Sequence, residues 1–246
     1  MEELREKIVQ VAELLKKARY TVALTGAGVS TESGVPDFRS PESGFWAVVS
    51  PELFTIDGFK ANPGAFYEAG LPLFRLIERA QPNSAHSVLA WLEDQGLVKA
   101  LITQNVDGLH QAAGSGRVLE IHGTLKRARC LFCRQSSPVA EVLADIEEGL
   151  IPPLCLDCGE PLKPDVVLFG EPLAPAYHQA LKEAEKADLI MIIGSSMQVS
   201  PANQLPAMGD KLVIINRTPT FYDNQARVVI NEGIGKTMEL LLEALQ

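Results

Sequence analysis

Only four cysteines occur in the 246 residues, and none stands outside a single pattern. With no cysteine left over for a disulfide, a reducing compartment is expected. No apolar run is long enough to cross a bilayer. The charged stretch 1–19 lacks the apolar core of a signal peptide. These absences lead to the expectation of a soluble, cytoplasmic protein without a membrane partner. Positive charge is also scarce. Twenty-two Lys and Arg face 31 Asp and Glu, for a formal net charge of −9. Sequence-independent nucleic-acid binders need a basic footprint, so no direct nucleic-acid binding is expected. The third glycine of a dinucleotide fingerprint is missing too. Gly26-Ala27-Gly28 follows an apolar run, but Thr31 stands where that glycine belongs. The Pro36–Pro41 stretch is a poor start for a crossover helix. The dehydrogenase fingerprint is therefore excluded.

The cysteines form two C-x-x-C pairs, Cys130/Cys133 and Cys155/Cys158, with 21 residues between the pairs. Each pair offers two thiolates from one tight turn, and two such turns complete a tetrahedron. That is the spacing of a closed, structural Zn2+ site. The alternative is four buried or redox-active cysteines. The surrounding segment, 124–165, holds five basic residues against seven acidic ones, the wrong balance for a zinc ribbon that grips phosphates.

Elsewhere, short apolar runs alternate with helical patterns. Residues 3–18 carry apolar positions at helical spacing. Strands are expected over 20–25, 97–103, 118–121, 189–193, 212–215 and 227–230. Helices are expected over 63–79, 84–95, 174–186 and 234–245, and a long loop with short helices over 30–60. The alternation predicts an α/β fold with a doubly wound parallel sheet, interrupted by the cysteine module.

Ligands bind at the carboxyl ends of strands in such sheets. Four places meet that description. The first loop carries Ser30, Thr31, Asp37, Phe38 and Arg39. Any one of the polar residues there can be a capping residue, but Arg39 beside Phe38 is better explained as a phosphate or ribose contact next to an apolar plug. Gln104, Asn105 and Asp107 follow a second strand. Gly194-Ser195-Ser196 ends another with residues small enough for close backbone approach, and Asn216 ends a further one. His122 lies past the 118–121 strand. A lone His is usually a satisfied structural residue, yet this placement also suits a general base.

These residues together resemble the sirtuin family of NAD-dependent protein deacylases. The resemblance rests on Gly26-Ala27-Gly28-Val29-Ser30, on Gly34-Val35-Pro36-Asp37-Phe38-Arg39 and on Gln104-Asn105-Val106-Asp107-Gly108-Leu109-His110. It extends to His122-Gly123, the four cysteines, the stretch from Lys163 to Glu171, and Gly194-Ser195-Ser196-Met197-Gln198-Val199. It implies a Rossmann-type large domain over 1–40, 80–123 and 165–246. A small domain would combine a helical insert, 41–79, with the zinc module, 124–164, and the whole chain would be one catalytic unit. NAD and an acyl-lysine peptide would meet between them, giving nicotinamide, O-acyl-ADP-ribose and free lysine.

The resemblance also implies residue roles. His122 would be the general base on a ribose hydroxyl. Asn105 would order the ribose and a water, and Asp107 would hold the nicotinamide carboxamide. Phe38 would shield the reacting face, while Ala27, Arg39 and Gln104 would hold diphosphate and ribose. Ser195, Ser196 and Asn216 would serve the adenosine half. Gly26, Gly28, Ser30, Thr31, Asp37 and Gly194 complete the cofactor-facing set. Substrate backbone would pair with Val166, Val167, Leu168, Phe169 and Gly170.

One departure bears on the acyl group. The family branch that removes acidic acyl groups carries a Tyr-x-x-Arg pair after an Asn-Pro equivalent to Asn62-Pro63. Here Gly70 and Leu73 take those places, and Arg75 lies nearby. The preceding loop, 40–59, offers Phe45, Trp46 and Phe54 in place of a cation. Acetyl or longer apolar acyl groups are therefore expected. A mono-ADP-ribosyltransferase on the same scaffold is the first alternative reading. A non-catalytic NAD- or zinc-binding module is the second, and the Asn105, Asp107 and His122 set counts against it.

Overall fold

A computed structural model describes residues 2–42 and 44–246. Met1 and Ser43, which the expected large and small domains include, lie outside the described residues. Among the described residues nine strands run in chain order. They are β1 (Thr21–Thr25), β2 (Ala100–Thr103), β3 (Val118–Glu120), β4 (Gly123–Cys130), β5 (Ser136–Pro138), β6 (Leu162–Val166), β7 (Leu189–Ile193), β8 (Leu212–Ile215) and β9 (Val228–Ile230). Helices are α1 (Glu2–Lys17), α2 (Ile56–Ala61), α3 (Pro63–Arg79), α4 (Ser84–Asp94), α5 (Leu109–Ala112), α6 (Val139–Glu147), α7 (Ala176–Lys186) and α8 (Ile234–Leu245).

Six strands form a parallel sheet in the order β3-β2-β1-β7-β8-β9. Counted within this sheet alone, that is the doubly wound order 3-2-1-4-5-6. β1, β2, β7 and β8 are buried on both faces. They read as continuous apolar runs because helices cover both sides. Alternate residues serve opposite layers. Ala23, Met191, Ile193 and Ile215 face a core closed by α1, α4 and α8. Leu24, Ile102, Ile190 and Ile214 face the layer of α7 and the 3-10 helix Ala202–Met208. α1 joins the first core because Leu4, Ile8, Val11 and Leu15 repeat at helical spacing on one side.

A second, three-stranded antiparallel sheet, β5-β4-β6, carries the cysteines. It shares a third core with α2, α3 and α6. Aromatic rings dominate that core, with Phe54, Phe59, Phe66, Tyr67 and Phe74 packed in successive edge or tilted contacts. The Tyr67 hydroxyl donates to the Leu162 carbonyl at 2.7 Å and pins α3 to β6. Arg75 reaches from α3 to the Glu147 carboxylate and the Leu143 carbonyl of α6.

The expected elements are all present, with shifted ends. The strand expected over 97–103 begins late, because Leu97 and Val98 both donate to the Leu92 carbonyl in a turn that closes α4, with Gly96 at φ 68°. β2 starts only at Ala100 as a result. α7 starts at Ala176 because Pro175 stands at its N-cap. Among the described residues no helix is long and apolar enough to cross a membrane.

Candidate active site

The turn after β1 and the turn after β7 meet where the strand order reverses. Gly28 N donates to the Gly194 carbonyl at 2.9 Å. A Cβ on Gly28 would fall 2.8 Å from that oxygen, and one on Gly26 would fall 2.8 Å from the Ser195 Cβ. These two glycines are required by the mutual approach of two strand-end turns. A 3-10 helix, Ala27–Ser33, starts directly after Gly26 and includes Gly28, and no crossover helix follows, in line with the failed fingerprint. Gly34, at φ 83°, ends it.

The rest of this loop separates into structural and cavity-facing residues. Thr31 is exposed and donates to the Gly28 carbonyl at 3.0 Å. The Asp37 carboxylate accepts from the amides of Arg39 and Ser40 and from the Ser40 hydroxyl, so it caps a turn. Phe38 packs against Phe45 and Trp46. Arg39 follows it at the cavity wall.

His122 stands just past β3. Its Nδ1 lies 3.0 Å from the Gln104 carbonyl oxygen. A carbonyl only accepts, so Nδ1 carries the proton and Nε2 keeps its lone pair. Burial holds this imidazole below its ordinary pKa; the Gln104 bond opposes that shift and the Arg39 charge adds to it. A neutral ring with a free Nε2 suits proton abstraction near pH 7.

Asn105 is buried and held from two sides. Its side-chain amide donates to Ser30 Oγ at 3.1 Å, and Ser30 donates to Asp107 at 2.7 Å. Asn83 N donates to His86 Nδ1, which leaves His86 Nε2–H to donate to Ser30 as well. On the other side Asn105 N donates to Thr103 Oγ1 at 3.1 Å. Thr103 accepts from Thr25, and Thr25 accepts from His110 Nε2–H at 2.9 Å. With the Asn105 Nδ2 turned inward, its carbonyl oxygen is the group left for the cavity. Asp107 also accepts from Leu109 N, starting α5. Ser30, Thr31 and Asp107 do not line the cavity; Asn105, Gln104 and His122 do.

At the far side, Gln104 Nε2 donates to Ser195 Oγ at 2.8 Å, bridging the β2 and β7 ends. Asn216 donates to the Thr218 carbonyl at 2.6 Å and closes the turn after β8. Segment 166–170 runs along the cavity with part of its backbone already engaged. Val166 pairs with Gly123, and Val167 N donates to the His122 carbonyl at 2.8 Å. Phe169 N donates to the Phe54 carbonyl, and Ile56 N donates to the Phe169 carbonyl.

These elements enclose a cavity of about 810 Å³, within the range of small-molecule sites. One end reaches Asn216 and Thr218. The other passes His122 to Phe66, Leu73, Phe74 and Ile77 of the third core. No motif in the sequence marked Tyr177, His178, Thr218 and Pro219, which also line it. The strand-end rule gives a partial signal for Thr218, two residues beyond Asn216.

Away from the cavity, the four cysteine sulfurs lie within 4.8 Å of one another. Three Sγ–Sγ distances are 3.4–3.5 Å. Zn–S bonds of about 2.3 Å imply Sγ–Sγ edges of about 3.8 Å in a tetrahedron. The donor set and spacing fit a structural Zn2+ with no open position. Cys130 and Cys155 are buried in the third core, so the metal would staple that core.

Comparison with known proteins agrees with this layout. The chain is 45% identical over 224 residues to NAD-dependent protein deacetylase 2 of Caldanaerobacter subterraneus subsp. tengcongensis, covering 91% of this chain and 90% of that protein. It is 47% identical over 233 residues to the NAD-dependent protein deacetylase of Sulfolobus acidocaldarius, covering 93% and 91%. A solved structure of Sir2 with p53 peptide and NAD+ superposes with a TM-score of 0.89 at 39% identity, covering 95% of this chain and 96% of that one. The Sir2 family model matches residues 26–201. With more than half of its length matched, and with its strand-end residues gathered on one cavity, this chain belongs to the Sir2 family.

Proposed function

We propose that the protein removes acetyl or longer apolar acyl groups from lysine side chains in an NAD-dependent reaction. The observation that carries this reading is His122. Its tautomer leaves Nε2 unprotonated at the wall of a cavity that joins a polar nucleotide end to an apolar end. The relatives named as NAD-dependent protein deacetylases support it.

When bound, NAD supplies an ADP-ribosyl electrophile whose leaving group, nicotinamide, is already cationic. Little acid help is then needed, and the chain's own task is positioning, water exclusion and one proton transfer. Arg39 and Gln104, with the Gly26-Ala27-Gly28 turn, hold the diphosphate and ribose. Ser195, Ser196 and Asn216 serve the adenosine half. Phe38, backed by Phe45 and Trp46, keeps water off the reacting face. Asn105 presents its carbonyl oxygen, and Asp107, which stands behind the cavity wall, fixes Asn105 through Ser30. His122 Nε2 takes the proton of a ribose hydroxyl. An extended acyl-lysine peptide lies against segment 166–170, with the acyl chain directed toward Leu73 and Phe74.

The chain works as one catalytic unit, with a large domain over 1–40, 80–123 and 165–246. The small domain comprises 41–79 and 124–164. Four thiols reserved for one metal and a net acidic surface suit the cytoplasm and argue against nucleic acid as a partner. The test is nicotinamide release with and without an acetyl-lysine peptide, followed by mass analysis. Peptide-dependent release with O-acetyl-ADP-ribose and free lysine is expected. Release that instead adds ADP-ribose to a protein would replace this reading with the transferase one.

A further inference from the structure

Lys163 is a charged residue in an unusual place. It sits in β6 at 6% relative exposure. Its ammonium has three N–H groups and three acceptors: the Pro164 carbonyl at 3.1 Å, the Val166 carbonyl at 2.6 Å and the Glu171 carboxylate at 2.9 Å. The same Glu171 oxygen accepts from Leu168 N at 2.9 Å. The pair therefore closes segment 163–171 on itself from beneath. From outside, the segment is held by His122, Phe54 and Ile56 through the backbone bonds of Val167 and Phe169. Residues 166–171 all line the cavity, while Lys163 does not.

We propose that the Lys163–Glu171 ion pair is a positioning device for the acylated peptide. It sets the backbone shape of 166–170 against which the peptide lies, and the inference rests on the deacylase reading above. The Lys163 side chain is 7% exposed and that of Glu171 is 22% exposed at the cavity wall. Removing one partner of such a pair costs more than removing both charges, because the remaining ion must find water or a new partner. If Lys163 lost its charge, the Glu171 carboxylate would turn outward and take Leu168 N and the 168–171 turn with it. Among the described residues the polar partners of these two side chains all lie within segment 163–171 and none at the nucleotide end, so NAD binding should be indifferent.

The experiment measures two affinities on the zinc-loaded full chain, one for an acetyl-lysine peptide and one for NAD. Lys163→Met is expected to raise the peptide Kd at least three-fold and leave the NAD Kd within two-fold. Peptide KM should rise more than kcat falls. Adding Glu171→Gln to Lys163→Met is expected to recover most of the loss, since Gln keeps an acceptor for Leu168 N without a stranded charge. A peptide Kd raised less than three-fold overturns the proposal, as does equal loss of NAD affinity or a double variant no better than the single one. If Lys163→Met does not fold by circular dichroism, Glu171→Gln alone decides under the same three-fold criterion. A parent chain that binds NAD but no acetyl-lysine peptide refutes the deacylase reading itself. A parent that binds both, with variants that match it, refutes only the role of the pair.

Discussion

His122 Nδ1 and the Gln104 carbonyl oxygen are 3.0 Å apart, and this one bond decides which nitrogen of the ring is the base. It ties the imidazole to the peptide that precedes Asn105, so the ends of β2 and β3 are fixed to each other at the base. His122→Ala is expected to lower turnover by about 10²- to 10⁴-fold, the usual range for losing a general base. NAD affinity should stay within a few-fold, because the ring holds no other cavity residue. Steady-state kinetics beside NAD titration checks both. Turnover close to the parent's would reject His122.

The pH profile follows from the same ring. Burial lowers its pKa, so the unprotonated base persists to lower pH than a free histidine would. The acid limb of kcat/KM is expected to have its midpoint below about 6.5. A midpoint above that value would contradict the burial argument.

Stability should carry a separate pH signature from His110. This ring is buried beside His86, with centroids 4.8 Å apart, and burial pushes its pKa down to about 3. Its Nδ1 has no partner among the described residues. The folded state thus binds its proton later than the unfolded state, whose His titrates near about 6.5. Stability is fully present above that value and is lost as pH falls toward about 3. Urea midpoints should drop between pH 7 and pH 5. His110→Gln, which keeps a donor for Thr25, should flatten the drop, and an unchanged slope would count against His110.

Metal removal should unfold the third core before the parallel sheet. Cys130 and Cys155 belong to that core, and a closed four-thiolate site contributes its binding energy to folding. Cys155→Ala or a strong chelator is expected to lower Tm by about 10 °C or more and to abolish activity. Zinc content measured beside activity checks this. A metal-free, fully active protein would exclude the structural site.

Succinyl-lysine should be a poor substrate. The apolar end of the cavity is walled by Phe66, Leu73, Phe74 and Ile77. The nearby cation, Arg75, is engaged by Glu78, Glu147 and the Leu143 carbonyl and does not line the cavity. Gly70 is covered by the Phe74 ring, where a Cβ would come within 2.6 Å. A carboxylate entering that wall unpaired costs several kcal/mol. On one peptide, kcat/KM for acetyl and butyryl should exceed that for succinyl by at least about ten-fold. Equal values would show that a cation reaches the pocket.

Local chemistry made much of this protein legible in its sequence. Each C-x-x-C pair brings two thiolates together in a single turn whatever surrounds it, and the two pairs together match a four-thiolate site. The apolar runs at 20–25, 189–193 and 212–215 announced buried parallel strands because two helical layers leave no face for polar residues. Strand ends then pointed to Gln104, Asn105, His122 and Ser195. What only the tertiary structure decided depends on contacts distant in sequence. The approach of Gly28 to Gly194 depends on β1 lying beside β7, which no local pattern specifies. Tertiary packing likewise brings His86, Asn105 and Asp107 to the Ser30 Oγ, turns the Asn105 amide inward, and takes Arg75 out of the acyl pocket and onto α6. Nothing local to Lys163 marks it as buried, and it becomes so only when the turn at 168–171 folds back over it. Periodicity and spacing record what a residue's neighbours in sequence require. The charge state of His122 and the partner of Lys163 are set by neighbours that only the packed sheets supply.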